Sequence, residues 1–464
     1  MKLLTYLFLL STSLFAGSYG APHLEGGDLS IFWVIPFAGI LLSIAIFPLV
    51  APEYWHHNFG KISAFWALLF VLPFLFSQGW QIVLYEILHV GLLEYIPFII
   101  LLLALFTISG GVQLTGSLVG TPIVNSAIIL VGTLLASWMG TTGAAMLLIR
   151  PLLRANKDRK HKVHIVIFFI FLVANIGGSL TPLGDPPLFL GFLKGVDFFW
   201  TTKAMFVPML FMVISLLIIF YFYDSFQYRK ESDLPSPSNN EKISIKGSFN
   251  LLLIFGVVCS VLLSGFWRPG IDFTIFHVHV ELQNLARDIL LLVLAYLSWT
   301  YTSKEIREGN EYTWFPIQEV AKLFAGIFIT IIPAIAILKA GTSGALSGII
   351  NSVSSDSGPV NNMYFWLTGI LSSFLDNAPT YLVFFNTAGG DAQVLMGELS
   401  QTLLAISAGA VFMGANTYIG NAPNFMVKSI AESSGIEMPS FFGYFFYSLI
   451  ILFPLFGIVS LLFF

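Results

Sequence analysis

Cysteine is almost missing: Cys259 stands alone in 464 residues. A disulfide framework and a thiolate metal site are therefore excluded, and Cys259, set in an apolar run, reads as a packing residue. Charge is scarce as well. Asp, Glu, Lys and Arg make up 10% of the chain, where a soluble domain of ordinary composition carries about 25%. The eight His are scattered, without the paired spacing on one helix face that a metal would need. No His-Glu-x-x-His, no Gly-x-Ser-x-Gly and no phosphate-binding loop appears. No enzyme and no cofactor are expected. What is abundant is apolar surface: hydrophobic residues are 56%, Phe alone numbers 46, and mean hydropathy is +0.85. The composition predicts an all-α, multi-pass protein of the cell membrane, with lipid as its main surrounding partner. The formal charge of −4 says little here, because in such a chain charge matters loop by loop.

Residues 1–20 have Lys2, a short apolar run and small residues at Ala16-Gly17-Ser18. That is the shape of a signal peptide, with a first membrane helix as the alternative. Residues 29–50 and 62–80 can each span, since about 20 apolar residues cross the hydrocarbon. Further spans are predicted over 95–112, 163–192, 198–223, 249–266, 288–301, 320–339, 399–430 and 441–464. Residues 81–94 and 341–361 read as loops. The expected organisation is a signal peptide (1–20), a first helix and loop (29–61), a first repeat (62–223), a polar linker with a connecting helix (224–286) and a second repeat (287–464). In all, about ten crossings are predicted, together with two re-entrant hairpins and two discontinuous helices.

The hairpins and the discontinuous helices organise the rest. Ser137-Trp138-Met139-Gly140-Thr141-Thr142 lies between two half-length apolar arms, 122–137 and 143–153, the second too short to cross. It is followed by Asn175-Ile176-Gly177-Gly178-Ser179-Leu180-Thr181-Pro182-Leu183-Gly184-Asp185-Pro186-Pro187, which interrupts a span. The same arrangement returns at Ser373-Phe374-Leu375-Asp376-Asn377-Ala378-Pro379-Thr380 and at Asn416-Thr417-Tyr418-Ile419-Gly420-Asn421-Ala422-Pro423-Asn424. Broken helix at membrane depth is tolerated only where protein or a wet cavity satisfies the freed backbone. When it recurs in both halves, it points to a transporter's binding site.

Arg150, Arg154, Lys157, Arg159, Lys160 and Lys162 against one Asp158 place residues 150–162 on the cytoplasmic side. A nucleic-acid patch is a poor reading in a membrane protein, so no nucleic-acid partner is expected. The mirror segment, 388–401, holds Asp391 and Glu398 and no Lys or Arg. Counting crossings puts 51–61 and 302–318 on the cytoplasmic side too. The two hairpins then enter from opposite faces, an inverted repeat with a polar site at the shared midplane.

A carboxylate inside a membrane is costly and is a functional hypothesis by default. Asp185 and Asp376 fall at the breaks. Around them are Ser137, Thr141, Thr142, Asn175, Thr181, Ser373, Asn377, Thr380, Asn416, Thr417 and Asn421. Hard oxygen ligands of this kind suit a small hard cation, with Asp185 and Asp376 as its charged ligands. For any one Ser, Thr or Asn the plain alternative is a helix cap or an interhelical hydrogen bond; for the two Asp it is an N-cap. Glu53, Glu86 and Glu94 read as interfacial, Lys339 as snorkelling, and His161 and His164 as extending the basic loop.

Gly140-Thr141-Thr142-Gly143 with Met146 to Leu152, the run Asn175 to Pro187, and Leu375-Asp376-Asn377-Ala378-Pro379 resemble the NhaD-type sodium/proton antiporters of the ion transporter superfamily. The resemblance covers about residues 95–430. It implies inverted repeats, a homodimer, an elevator-like movement, and Na⁺ and H⁺ as the transported species at Asp185 and Asp376. The same superfamily holds sodium-coupled citrate and dicarboxylate symporters, with Ser-Asn-Thr at both hairpin tips. This chain differs there, and Asp185 stands where those symporters have Thr; a fixed negative charge repels a carboxylate and attracts a cation. Pro186-Pro187 and Ala422-Pro423-Asn424 keep the symporter pattern. Carboxylate symport therefore remains the alternative to Na⁺/H⁺ exchange.

Overall fold

The computed structural model describes residues 21–231, 242–355 and 358–464. The expected signal peptide and the middle of the polar linker lie outside the described residues. The described chain is almost entirely helical. Its strands form three two-stranded antiparallel ribbons.

In chain order the long helices are α1 (Ile35–Val50), α2 (Pro52–Gln78) and α3 (Trp80–Ser109). A hairpin follows, α4 (Pro122–Met139) and α5 (Thr141–Ala155). A broken helix comes next: α6 (Val163–Leu172), a 3-10 turn at Ile176–Leu180, then α7 (Pro186–Leu193). Helix α8 (Phe198–Tyr228) closes the first half. After the linker come α9 (Phe249–Phe266), α10 (Leu282–Tyr301) and the pair α11 (Phe315–Thr330) and α12 (Ile332–Lys339). Then a second hairpin appears, α13 (Asn361–Phe374) and α14 (Asn377–Thr387). A second broken helix follows, α15 (Ser400–Met413), a turn at Gly414–Asn416, and α16 (Ala422–Ser433). The chain ends in α17 (Phe441–Phe463).

Proline sits where these helices restart: Pro122 opens α4, Pro186 and Pro187 open α7, and Pro423 stands in the first turn of α16. Its missing N–H is an orphan there anyway. Helix α6 is apolar on all faces and buried along almost its whole length, the pattern of a central element rather than a lipid-facing one. Lipid offers no hydrophobic drive between helices, so close approach depends on small residues. Helices α13 and α15 show this: a Cβ on Gly409 would fall 2.5 Å from the Phe365 carbonyl oxygen. The ribbon Gln113–Thr115 with Ser244–Lys246 ties the end of α3 to the start of the second half. Asp272–Ile275 and Val278–Glu281 pair through a turn whose two residues, Phe276 and His277, both have positive φ, the geometry that matches strand twist.

Eight helices among the described residues are long and apolar enough to cross a membrane. There are nine if α11 and α12, bent by 41° two residues before Pro333, count as one span. The expectation of about ten differs for physical reasons. Helix α10 begins with Gln283, Asn284, Arg287 and Asp288 and is too polar, and the α15 arm has only 14 residues. Conversely, α4 reaches 18 residues and qualifies by itself. Residues 81–94 are helix, not loop. Glu86 and His89 lie one helical turn apart, a π-helical stretch at Gly91–Tyr95 absorbs the glycine, and Pro97 falls in the first turn of the segment beyond. Part of the expected loop 341–361 is also helical, at Ser347–Ser352. Helices α2 and α10 run unbroken through residues 61–62 and 286–287, so those two expected boundaries lie inside helices.

Candidate functional site

Each hairpin is fastened to its neighbouring broken helix by the same hydrogen bonds. The Thr181 hydroxyl donates to the Ser137 carbonyl, and the Thr417 hydroxyl donates to the Ser373 carbonyl. Both pairs are 44 residues apart. In the first fastening the Ser137 hydroxyl also donates to the Gly177 carbonyl and accepts the Leu180 N–H at 3.1 Å. In the second, Ser373 donates to the carbonyls of Gly369 and Met413 at 2.7 and 3.1 Å and accepts from Asn416 Nδ2 at 2.9 Å. Of these, the Gly177 and Met413 carbonyls lie at the breaks, where a helix end would otherwise leave them unpaired.

The shift that carries Ser137 onto Ser373 and Thr181 onto Thr417 also carries Gly178 onto Gly414 and Gly184 onto Gly420. In both cases the extended strand of the break crosses its own helix at a glycine pair. A Cβ on Gly184 would fall 2.1 Å from the Gly178 carbonyl oxygen, and one on Gly420 2.5 Å from that of Gly414. The first hairpin turns at Gly140, φ +80°, and the Thr141 N–H then reaches the Gly184 carbonyl at 2.9 Å.

The same shift brings Asp185 onto Asn421 and Thr141 onto Asn377, and these residues meet in space. Asp185 is 1% exposed. Its Oδ1 accepts from Asn421 Nδ2 at 3.0 Å and from the Thr141 hydroxyl at 3.3 Å, and its Oδ2 accepts from Asn377 Nδ2 at 2.6 Å. All three partners are neutral donors, and they come from both halves of the chain. Helices α5, α7, α14 and α16 begin at Thr141, Pro186, Asn377 and Ala422. Four helix N-termini, each carrying partial positive charge, thus surround one carboxylate.

The remaining expected residues fall into two groups. Asn175, buried, donates to Asn424 Oδ1 at 2.7 Å and to the Ile170 carbonyl at 2.8 Å, joining the two breaks. Thr142 and Asp376 are partly exposed and line the same cavity as Asp185 and Asn421, with a volume of about 110 Å³. Asp376 does not hydrogen-bond to Asp185; its Oδ1 accepts the Ala378 N–H at 3.0 Å and caps α14. Ser137, Thr181, Ser373, Asn416 and Thr417 are the fastenings, one layer outside the cavity. Thr380 bonds back to the Asp376 carbonyl at 3.0 Å within its own helix. A second cavity of about 700 Å³ shares Asp376 and Asn421 with the first and runs out to Glu53, His57, Arg150 and Glu311.

Sequence reasoning did not nominate Asn424. It donates to the Gly414 and Thr417 carbonyls at 2.8 and 2.9 Å and accepts from Asn175; the only signal was its place in the second break. Two charged residues were also misplaced. Glu94 is not interfacial: it is 4% exposed and paired with Lys194 at the end of α7. His164 does not extend the basic loop: it is buried, 2.8 Å from Asp224, which also pairs with the buried Arg159 of that loop. Asp224, near the end of α8, falls where the sequence reads as the first residue of the polar linker, so residue type carries no sign of this buried pair.

Comparison with known proteins gives the frame for this geometry. A 46 kDa membrane protein of Mycobacterium leprae is 26% identical over 56% of this chain, and the match spans 58% of that protein's length. Uncharacterized transporters of Mycobacterium tuberculosis and Mycobacterium bovis are each 24% identical over 68% of the chain and 71% of their own length. The family model whose description reads "Putative citrate transport" matches residues 26–464. That match takes in both hairpins and both breaks, so this chain belongs to that citrate-transport family and is a multi-pass membrane transporter, not an enzyme.

Proposed function

We propose that the chain is a secondary active Na⁺/H⁺ exchanger of the cell membrane, with its cation site at Asp185 and Asp376. One observation carries this reading. The inner cavity is lined by two carboxylates and, among the described residues, by no Lys, Arg or His. A cavity with that lining attracts a small cation and repels a free carboxylate. A carboxylate can hold H⁺ or Na⁺ but not both at one lone pair, and moving the bare anion through a low dielectric is expensive. Exchange follows when only the loaded site crosses.

The larger cavity supports the direction of opening. Glu53 and His57 belong to 51–61, Arg150 to 150–162 and Glu311 to 302–318; the Lys/Arg bias assigns 150–162 to the cytoplasm, and counting crossings assigns the other two to the same side. We read the conformation as inward-open, within an inverted-repeat homodimer that moves its site in an elevator-like way. Orientation is tested by cysteine labelling in a Cys259→Ser background. A cysteine replacing the exposed Lys160 should react only from the cytoplasm, and one replacing the exposed Val394 only from outside. Labelling of both from one face would remove the inversion.

The second reading is sodium-coupled citrate or dicarboxylate symport. It is favoured by the four converging helix N-termini, which suit an anion, and by the family's description. Proteoliposomes holding a pH dye separate the two. A Na⁺ pulse without any carboxylate should move protons. Robust Na⁺-dependent citrate uptake, with no dye response to Na⁺ alone, would establish the second reading instead.

A further inference from the structure

The side-chain amide of Asn421 is over-subscribed. Its Nδ2 lies 3.0 Å from Asp185 Oδ1, 3.3 Å from Asn175 Oδ1 and 3.2 Å from the Ala174 carbonyl oxygen. An amide nitrogen carries two hydrogens, so three acceptors share two donors. The surrounding bonds fix this orientation. Asn424 donates its nitrogen to the Gly414 and Thr417 carbonyls and therefore turns its oxygen to Asn175. Asn175 donates to that oxygen and to the Ile170 carbonyl, and therefore turns its own oxygen to Asn421. Reversing the Asn421 amide in place would set its oxygen against two amide oxygens, which carry no proton, and against the Asp185 carboxylate when it is ionised.

Three oxygens from both sides of the first break thus converge on one point, an ionisable carboxylate among them. Ala174 and Asn175 are fully buried, and Asp185 and Asn421 nearly so. A carboxylate, an amide carbonyl and a backbone carbonyl are the donor set of a hard cation. We infer that the point now held by Asn421 Nδ2 is the cation position. Asp185 Oδ1, Asn175 Oδ1 and the Ala174 carbonyl form a cradle for a small monovalent cation, and the Asn421 amide is a tethered stand-in that leaves when the ion arrives. Asn421 also lines the cavity, which is where its side chain would move. This inference rests on the cation reading of Asp185 and adds the site's composition: Ala174 becomes a ligand, and Asn421 becomes the ion's competitor rather than one of its ligands.

The two roles of Asn421 predict opposite results. The full chain is purified in detergent at alkaline pH, and radioactive Na⁺ binding is measured by scintillation proximity. Asn175→Ala removes a cradle oxygen and should weaken binding by at least about tenfold. Asn421→Ala removes the competitor and should tighten binding, with half-saturation at a lower Na⁺ concentration than in the wild type. Should Asn175→Ala fail to fold, the Asn421→Ala arm still decides. Wild-type protein that binds Na⁺ while Asn421→Ala binds no more tightly would overturn the cradle and leave the exchanger reading standing. Wild-type protein without saturable Na⁺ binding would overturn both.

Discussion

The two breaks share a backbone and differ in charge. Both have a threonine hydroxyl on a serine carbonyl, and both cross at a glycine pair. Yet the carboxylate sits on opposite members. In the first, the hairpin turns at Gly140 and the acid is on the broken helix, at Asp185. In the second, the acid is at the hairpin tip, where Asp376 caps α14, and the broken helix carries Asn421. Asn377 of the second hairpin and Asn421 of the second break both donate to Asp185. The first half supplies the acceptor and one donor, Thr141, and the second half supplies the other two donors. A duplicated frame therefore does not mean a duplicated site: a single buried carboxylate is completed across the interface between halves.

The largest effect should come from removing that carboxylate. Asp185→Asn keeps size and removes the titrating group, so Na⁺-driven proton movement in liposomes should fall to background. Asp376→Asn should fall less, by about tenfold, the equivalent of roughly 1.4 kcal/mol. Asp376 is partly exposed, its carboxylate accepts the Ala378 N–H and, among the described residues, no other hydrogen bond, and Asn caps a helix about as well as Asp. Asp158→Asn, on the exposed basic loop, should leave the rate unchanged. Equal losses at Asp185 and Asp376 would break the comparison, because both carboxylates would then hold the ion to the same degree.

The glycine crossings come next, and they grade the two breaks against each other. At Gly184 an added Cβ meets the Gly178 carbonyl at 2.1 Å; at Gly420 it meets Gly414 at 2.5 Å and the Ser372 carbonyl at 2.8 Å. Backbone atoms cannot step aside as a flexible side chain can. Overpacking of this kind costs about 1–3 kcal/mol, so Gly184→Ala and Gly420→Ala should both lower the melting temperature in detergent, Gly184→Ala further. Gly457→Ala, with nothing within 4 Å, should not lower it. A Gly420→Ala protein as stable as wild type would show that only the first crossing is tight.

The breaks themselves were legible in the sequence, because clustered Gly, Pro and polar residues inside an apolar run interrupt the helix and are tolerated at membrane depth only beside protein or a wet cavity. The overall class was equally plain from hydropathy. What was not legible depends on pairing across distance. Glu94 looked interfacial because one carboxylate near a predicted span end carries no sign of Lys194, 100 residues away. His164 looked like loop charge because Asp224 lies on another helix. The 81–94 helix was hidden by its own Glu and His, which read as loop polarity until their helical spacing is set against the π-helical stretch at Gly91–Tyr95. Asn175, Asp185 and Asn421 could be nominated from residue type, but not the direction of their hydrogen bonds, which separates a ligand from a donor.

The smallest predicted effect tests whether the shared frame is equally firm on both sides. Thr181 and Thr417 are fully buried. Each hydroxyl donates to a serine carbonyl and accepts a backbone N–H beyond it, Leu183 to Thr181 at 3.2 Å and Ile419 to Thr417 at 3.2 Å. Replacement by Val keeps the shape and removes both bonds, leaving a buried carbonyl and a buried N–H unpaired at a cost of about 1–3 kcal/mol. Gly420 N–H also reaches the Thr417 hydroxyl, at 3.1 Å, a bond for which the first break shows no counterpart. Thr417→Val should therefore lower the melting temperature slightly more than Thr181→Val. That order is the reverse of the glycine variants, where the first break is the tighter. If the same break proved the more sensitive in both series, one half would simply be the less stable, and fastening and crossing would not act as separate constraints on the frame.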